Sequence, residues 1–130
     1  MDKKKNNSID PITLSLIRNS LSSIADEMAT TIVRTAYSTV IRDCMDFSTA
    51  LCDRHGQMIA QGVTIPFQLG SIPFALKATL NKFQGRILPG DIFIMNDPFE
   101  GGIHLPDIFI FQPVFDQDRL VGFSAVVAHH

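Results

Sequence analysis

Apolar residues in the first third of the chain recur at the spacing of a helix. The stripe follows Asp10 and Pro11, an N-cap residue and a proline at the first helical position, where a missing N–H is tolerated. Intervals of three and four predict one helix that ends near Tyr37 and packs one face on the core. The apolar positions of that face are Leu14, Ile17, Leu21, Ile24, Met28 and Ile32.

From Asp46 onward the apolar residues occur in short runs separated by turn residues. The runs FSTALCD and QMIAQGV flank residues 53–56, where Gly56 can supply a positive φ, and this predicts a β-hairpin. The runs IFIFQPVF and LVGFSAVVA flank polar residues 116–119 and predict a second hairpin. Residues 92–95 predict a further strand, and residues 71–83 predict a second, shorter helix. Helices combined with antiparallel pairs indicate an α+β fold with a mainly antiparallel sheet.

Composition narrows the class of protein. A chain of 130 residues with 45% hydrophobic and 18% charged residues is typical of a globular domain. Eleven basic and thirteen acidic residues give a formal charge of -2, so nucleic acid is not an expected partner. Residues 1–9 carry a basic run without an apolar segment behind it, and we expect a disordered tail, no membrane partner and a cytoplasmic location. Cys44 and Cys52 are expected to be buried, reduced thiols.

The segment NDPFEGGIHLPD, residues 96–107, is the strongest candidate for chemistry. Two glycines and two prolines in twelve positions indicate a loop with particular backbone angles, and such loops often carry function. His104 and Asp107 are candidate metal ligands, and a second histidine would complete a set that leaves coordination positions open. Asn96 and Asp97 either contact substrate or bond their own backbone in a turn.

The second histidine depends on the register of the last hairpin. A three-residue loop at residues 117–119 places Asp107 opposite His129, on the same face and with Cβ atoms ~5 Å apart. A four-residue loop places Asp107 opposite Ala128 and turns His129 to the other face, which makes His130 the better candidate. A bulge could rescue either choice.

Several longer phrases, in this order and spacing, resemble the beginning of the hydantoinase B/oxoprolinase family. They are DPITLSLIRNSL, DEMATTIVRTAYS, DFSTALCDRHGQMIAQG, IPFQLGSIP, LPGDIFIMNDPFEGGIHLPD and LVGFSAVVAHH. The family includes the hydantoinase B component of N-methylhydantoinase, the matching half of 5-oxoprolinase and a large subunit of acetone carboxylase.

The resemblance implies a metal-containing subunit of an ATP-dependent amidohydrolase, acting on cyclic amide C–N bonds, or of a related carboxylase that takes a ketone. It places the metal ligands on His104, Asp107 and His129, with manganese, iron or zinc as the divalent ion. A hydantoinase A-type partner would bind ATP and activate the substrate. This chain has neither GxGxxG nor a P-loop, and we expect it not to bind ATP. No catalytic residue is assigned.

Two departures from the family pattern stand out. Gln68 occupies the place of a histidine in the family phrase IPxHLG, which keeps a hydrogen-bonding side chain but loses the imidazole. Family members are also several hundred residues long, so residues 10–130 are expected to be the N-terminal part of a hydantoinase B-like domain, inactive alone. The alternative is a truncated remnant or assembly module without activity.

Overall fold

Five strands form one antiparallel sheet in this computed structural model, which describes residues 9–130. In chain order they are β1 (Phe47–Asp53), β2 (Met58–Gln61), β3 (Phe93–Met95), β4 (Asp107–Asp116) and β5 (Arg119–His129). Their order in the sheet is β2-β1-β5-β4-β3, with every pair antiparallel. The helices are α1 (Pro11–Thr35), α2 (Thr39–Arg42) and α3 (Ile72–Lys82), with 3₁₀ turns at Pro66–Ser71 and Pro98–Glu100. The predicted α+β fold is confirmed, while the expected tail lies outside the described residues except for Ile9.

Helix α1 begins where the sequence predicts. The Asp10 carboxylate accepts hydrogen bonds from the N–H groups of Ile12 and Thr13, both at 3.0 Å, and Pro11 is the first helical residue. A hydrogen bond with the Thr13 side chain lowers the pKa of the Asp10 carboxyl. The helix ends at Thr35, close to the predicted end. Among residues 9–130, no helix combines the length and apolar character of a transmembrane segment.

The predicted packing face of α1 is correct only in part. Its buried residues are Ala25 and Ala29, which contact the sheet side formed by β1 and β2. The approach is close, because the Thr49 hydroxyl donates to the Ala25 carbonyl oxygen at 2.9 Å, and only small side chains fit there. Of the expected stripe, Leu14, Ile17 and Ile24 are exposed. The other three residues, Leu21, Met28 and Ile32, are half-buried.

Helix α3 covers the other face of the sheet and was predicted correctly. Four of its residues are buried: Ile72, Ala75, Leu76 and Thr79. They pack against a phenylalanine-rich face of the sheet that includes Phe109, Phe111 and Phe123. Asp107 and His129 lie on this same face, because strand residues two apart share a side.

The first hairpin matches its prediction. Gly56 has φ +83, and the Asp53 carboxylate accepts from two backbone N–H groups of the turn.

Cys52 on β1 is buried, and burial, followed by the charge of Asp53, raises its pKa to about 12. Cys44 is exposed, contrary to the expectation of two buried thiols, because it lies in the turn between α2 and β1.

Candidate metal centre

Two glycines allow close backbone contacts of the loop between β3 and β4, one with α3 and one within the loop. Gly101 has φ +96, and a Cβ atom there would lie 2.7 Å from the backbone carbon of Phe74 on α3. A Cβ atom at Gly102 would lie 2.7 Å from the carbonyl oxygen of Asp97. A larger residue at position 101 would therefore push the loop off the helix, and one at position 102 would distort the loop itself. The glycines fix the backbone that precedes His104.

Asn96 and Asp97 both hydrogen-bond within this loop. The Asn96 amide donates to the Leu105 carbonyl oxygen at 2.9 Å, and the Asp97 carboxylate accepts from the Phe99 N–H at 2.9 Å. The first bond closes the loop across its base, and the second caps the 3₁₀ turn Pro98–Glu100, so both residues have a structural role. Their contact with substrate stays a prediction.

A tight turn places His104 beside Asp107. The Asp107 N–H donates to the His104 carbonyl oxygen at 2.9 Å, so the chain folds back over three residues. The imidazole Nδ1 consequently lies 2.6 Å from Oδ2 of Asp107. The side chain of His104 is half exposed, whereas that of Asp107 is fully buried.

His129 reaches the same carboxylate from the neighbouring strand. Asp107 and His129 are directly opposed across β4 and β5, and Nδ1 of His129 lies 2.9 Å from Oδ1 of Asp107. The neighbouring His130 N–H donates to the Pro106 carbonyl oxygen at 3.2 Å, and its side chain is exposed. The structure therefore has the register that selects His129.

This register arises differently from either loop considered in the sequence. The turn contains only Gln117 and Asp118, and Asp116 pairs with Arg119 instead of with Leu120. A bulge between Val114 and Phe115 then shifts the pairing by one residue, leaving Val121 without a partner in the ladder. A glutamine at positive φ, Gln117 at +54, allows the short turn, and the bulge restores the opposition of Asp107 and His129.

The geometry of the three residues suits one metal ion. One candidate ligand atom from each of His104, Asp107 and His129 lies within 4.8 Å of the other two. Opposite ligands of one ion span ~4 Å at ~2.1 Å each, so small side-chain rotations would bring all three into contact with an ion. Oδ2 of Asp107 is 2.6 Å from an imidazole nitrogen yet accepts no hydrogen bond of acceptable geometry. Converging acceptor atoms of this kind are typical of a cation site.

The charge of Asp107 also favours a cation. A buried carboxylate is costly unless it is paired or coordinated. No lysine or arginine within residues 9–130 forms an ion pair with it, and the two histidines are its only ion-pairing neighbours there. A divalent ion would supply the missing positive charge.

Gln68 and Asp46 lie directly behind the three ligands. The Gln68 amide donates to the Asp46 carboxylate at 3.0 Å, and its nitrogen lies 3.5 Å from Oδ1 of Asp107. The sequence indicated Gln68 only as a departure from a family phrase. The proximity of Gln68 and Asp46 to the ligands could not be read from spacing, because 22 and 39 residues separate Gln68 from the two carboxylates.

One cleft of the described residues lies away from the three candidate ligands. It has a volume of about 510 Å³, lies between α3 and β3, and is lined by Lys82, Asp97 and Glu100 among others. None of the three candidate ligands lines it. The candidate centre is therefore defined by its converging ligand atoms and not by the cleft, because a metal site depends on donor atoms rather than on volume.

Comparison with known proteins shows the family of this chain. Residues 10–130 match the model of the Hydantoinase B/oxoprolinase family. The chain is 38% identical to 5-oxoprolinase of Saccharomyces cerevisiae, covering 94% of this chain and 10% of that protein. It is equally 38% identical to a Pseudomonas sp. protein named as the B-type subunit of a D-/L-hydantoinase, covering 94% of this chain and 21% of the other.

Two solved structures share the fold. An ATP-dependent caprolactamase from Pseudomonas jessenii superposes with a TM-score of 0.80 at 32% identity, covering 95% of this chain and 21% of that one. An acetone carboxylase superposes with a TM-score of 0.85 at 23% identity, covering 92% and 16% of the two chains, which shows the fold alone. The chain spans only 10% and 22% of the length of two further curated relatives. A family match over residues 10–130 and these relatives show that the chain belongs to the hydantoinase B/oxoprolinase family.

Proposed function

We propose that His104, Asp107 and His129 bind one divalent metal ion, and that the chain is the N-terminal part of a metal-dependent subunit of an ATP-dependent amidohydrolase. The observation that carries this proposal is the approach of three ligand atoms to within 4.8 Å around a fully buried carboxylate. The wider activity rests on the family, because this chain spans a small part of its relatives.

The donor set restricts the metal to a class. Two imidazoles and one carboxylate, with no thiolate, suit manganese, iron or zinc. When bound, such an ion would supply Lewis-acid chemistry at coordination positions that the three residues leave open. The protein supplies rigidity, since Asp107 is buried and in a central strand pair, and access, since the His104 side chain is half exposed.

The substrate class is proposed from the relatives' names. One relative is a 5-oxoprolinase and one structural neighbour is an ATP-dependent caprolactamase, and both names denote action on a cyclic amide. We therefore propose hydrolysis of a cyclic amide C–N bond, with a ketone carboxylation as the related alternative. Asn96 and Asp97, in the loop that leads to His104, are proposed to contact the substrate from the base of the site.

The partner is also part of the proposal. One relative is named as one subunit of a hydantoinase, which supports an assembly with a second subunit. We propose that this second subunit is of the hydantoinase A type and that the assembly is cytoplasmic. ATP would be bound and used by that partner. Titration of the isolated chain with labelled ATP should then show no saturable binding, and adding the partner should restore it. Saturable binding by the chain alone would contradict this division of labour.

Metal analysis of the full chain tests the central proposal. The parent, His104→Ala and Asp107→Ala are purified identically and their metal content is measured, with His55→Ala as the control because His55 lies in the exposed turn between β1 and β2. We expect about one ion per chain in the parent and in the control, and at least a roughly tenfold loss in both ligand variants. An unchanged number of metal ions per chain in the two ligand variants would contradict the assignment of His104 and Asp107 as ligands.

A further inference from the structure

Gln68 is a buried polar residue with an unusual environment. It lies in the 3₁₀ turn that follows Pro66, and only 2% of its surface is exposed. Its Nε2 lies 3.0 Å from Oδ1 of Asp46 and 3.5 Å from Oδ1 of Asp107. The first contact is an ordinary hydrogen bond and the second is at the limit of one, so Asp46 anchors the amide and Asp107 is its second acceptor.

The orientation of this amide follows from electrostatics. Both carboxylate oxygens are acceptors, and only the NH₂ end of a glutamine can donate to them. The reversed amide would place Oε1 against two negatively charged oxygens. Nε2 is therefore the atom that faces Asp46 and Asp107.

The anchor itself is fixed on both sides. The Asp46 carbonyl oxygen accepts from the His129 N–H at 3.0 Å, which ties the residue to the end of β5 that carries a candidate ligand. On the other side, the Ser71 hydroxyl donates to the Gln68 carbonyl oxygen at 2.7 Å and holds the 3₁₀ turn. The Gln68 amide thus lies between two segments that are each held by a hydrogen bond to a backbone carbonyl oxygen, that of Asp46 and that of Gln68.

The side-chain amide of Gln68 is hydrogen-bonded at one end only. Its Oε1 is buried and has no hydrogen-bond partner among the described residues. This unpaired acceptor lowers stability and offsets part of what the hydrogen bond from Nε2 to Asp46 contributes. The donor end, which faces the carboxylate of a candidate ligand, is the part of the side chain that a leucine could not replace.

We propose that Gln68 is a positioning residue for the metal centre, an inference that rests on the proposed function. Its amide, anchored by Asp46, holds Oδ1 of Asp107 and orients the carboxylate so that Oδ2 faces the site. Oδ2 is the oxygen without a hydrogen bond and lies 2.6 Å from the His104 imidazole. Partners behind a metal ligand commonly raise metal affinity by roughly 10–100-fold.

The test is a Mn²⁺ titration of the full chain after removal of bound metal. Gln68→Leu removes the donor at similar volume, and Gln68→His offers a ring N–H at comparable reach. Thr79→Val is the matched control, because Thr79 is also buried and its hydroxyl bonds only the backbone of α3. We expect roughly 10–100-fold weaker binding for Gln68→Leu, and binding within about threefold of the parent for Gln68→His and Thr79→Val.

The outcomes separate the two proposals. A parent that binds no Mn²⁺ overturns the metal centre and the positioning role together. A parent that binds Mn²⁺ only as tightly as Gln68→Leu overturns the positioning role alone, as do equal losses in Gln68→Leu and Thr79→Val. The thermal stability of each metal-free variant is measured in parallel. If Gln68→Leu does not fold, Gln68→Asn decides: its shortened amide should bind Mn²⁺ at least roughly tenfold more weakly than Gln68→His, and equal affinities would overturn the role.

Discussion

Asp107 and His129 face each other across β4 and β5, with Oδ1 and Nδ1 2.9 Å apart, although 22 residues separate them in the sequence. The pair joins a buried carboxylate to an imidazole at the end of the sheet, and the turn after His104 adds the second imidazole. The candidate centre is thus built by strand pairing and one turn. Its integrity should respond to changes in either.

The choice between adjacent histidines gives a direct prediction. His129→Ala should reduce Mn²⁺ affinity by roughly tenfold or more, because its side chain is on the face of Asp107. His130→Ala should leave affinity within about twofold, since strand neighbours point to opposite faces. Isothermal titration of the two variants measures this, and a larger loss for His130→Ala would mean that the register in solution is the other one.

Gly62 should be required for the docking of α1. A Cβ atom there would overlap the Thr49 hydroxyl and lie 2.7 Å from the Ala25 carbonyl oxygen, so Gly62→Ala must displace the helix or break its bond to Thr49. We expect a loss of about 1–3 kcal/mol in the free energy of unfolding. Gly70→Ala is the control, because a Cβ atom at Gly70 meets nothing within 4 Å. Equal effects in urea denaturation would contradict the close approach.

Because Cys52 is buried as a neutral thiol, we expect the free energy of unfolding to fall at alkaline pH. Its pKa is raised from 9.0 to about 12 in the folded protein, so the folded state keeps the proton that the unfolded state loses. The contribution of the neutral thiol to the free energy of unfolding is complete below about pH 9 and is lost as the pH rises toward 12. Thermal melts across this range should fall less steeply for Cys52→Ala than for the parent.

The exposed Cys44 provides the matched control. Cys44→Ala should retain the alkaline slope of the parent. A thiol reagent at neutral pH should label Cys44 and spare Cys52, because exposure and thiolate formation control reactivity. Identical slopes for both variants, or rapid labelling of Cys52, would contradict the buried thiol.

The isolated 130-residue chain should self-associate through α1. The first ten residues of this helix are all exposed, and they include Ile12, Leu14 and Leu16. Apolar surface gathered on one segment favours association. Size-exclusion chromatography should show oligomers for the parent and a monomer for Leu16→Lys, whereas Phe99→Ser, in the loop before β4, should behave as the parent. A monomeric parent would contradict the prediction.

Local signals predicted most of the fold. Asp10 and Pro11 specify the start of α1, and Gly56 specifies the first hairpin, because capping and positive φ are properties of single residues. The fully buried positions of α1 could not be predicted in this way. The periodic stripe points to leucine and isoleucine, but the close contact at Thr49 selects Ala25 and Ala29. Tertiary contact outweighs hydrophobic periodicity there.

The site was predictable in composition but not in detail. Donor chemistry identified His104 and Asp107, and the resemblance selected His129. The short turn and its bulge could not be inferred, because they depend on how β5 fits between β1 and β4. Gln68 was noticed only as a substitution, since nothing in the local sequence reveals that a side chain will lie against two distant carboxylates.

The extra residue Val121 in β5 determines whether Asp107 and His129 can face each other. In a regular hairpin with a two-residue turn, opposed residues are an odd number apart, as Asp116 and Arg119 are. Asp107 and His129 are an even number apart, so with this turn they can face each other only if one strand carries one extra residue. Deleting Val121 should therefore turn β4 and β5 into a regular ladder. Asp107 and His129 would then be an odd number of residues apart and would still face each other.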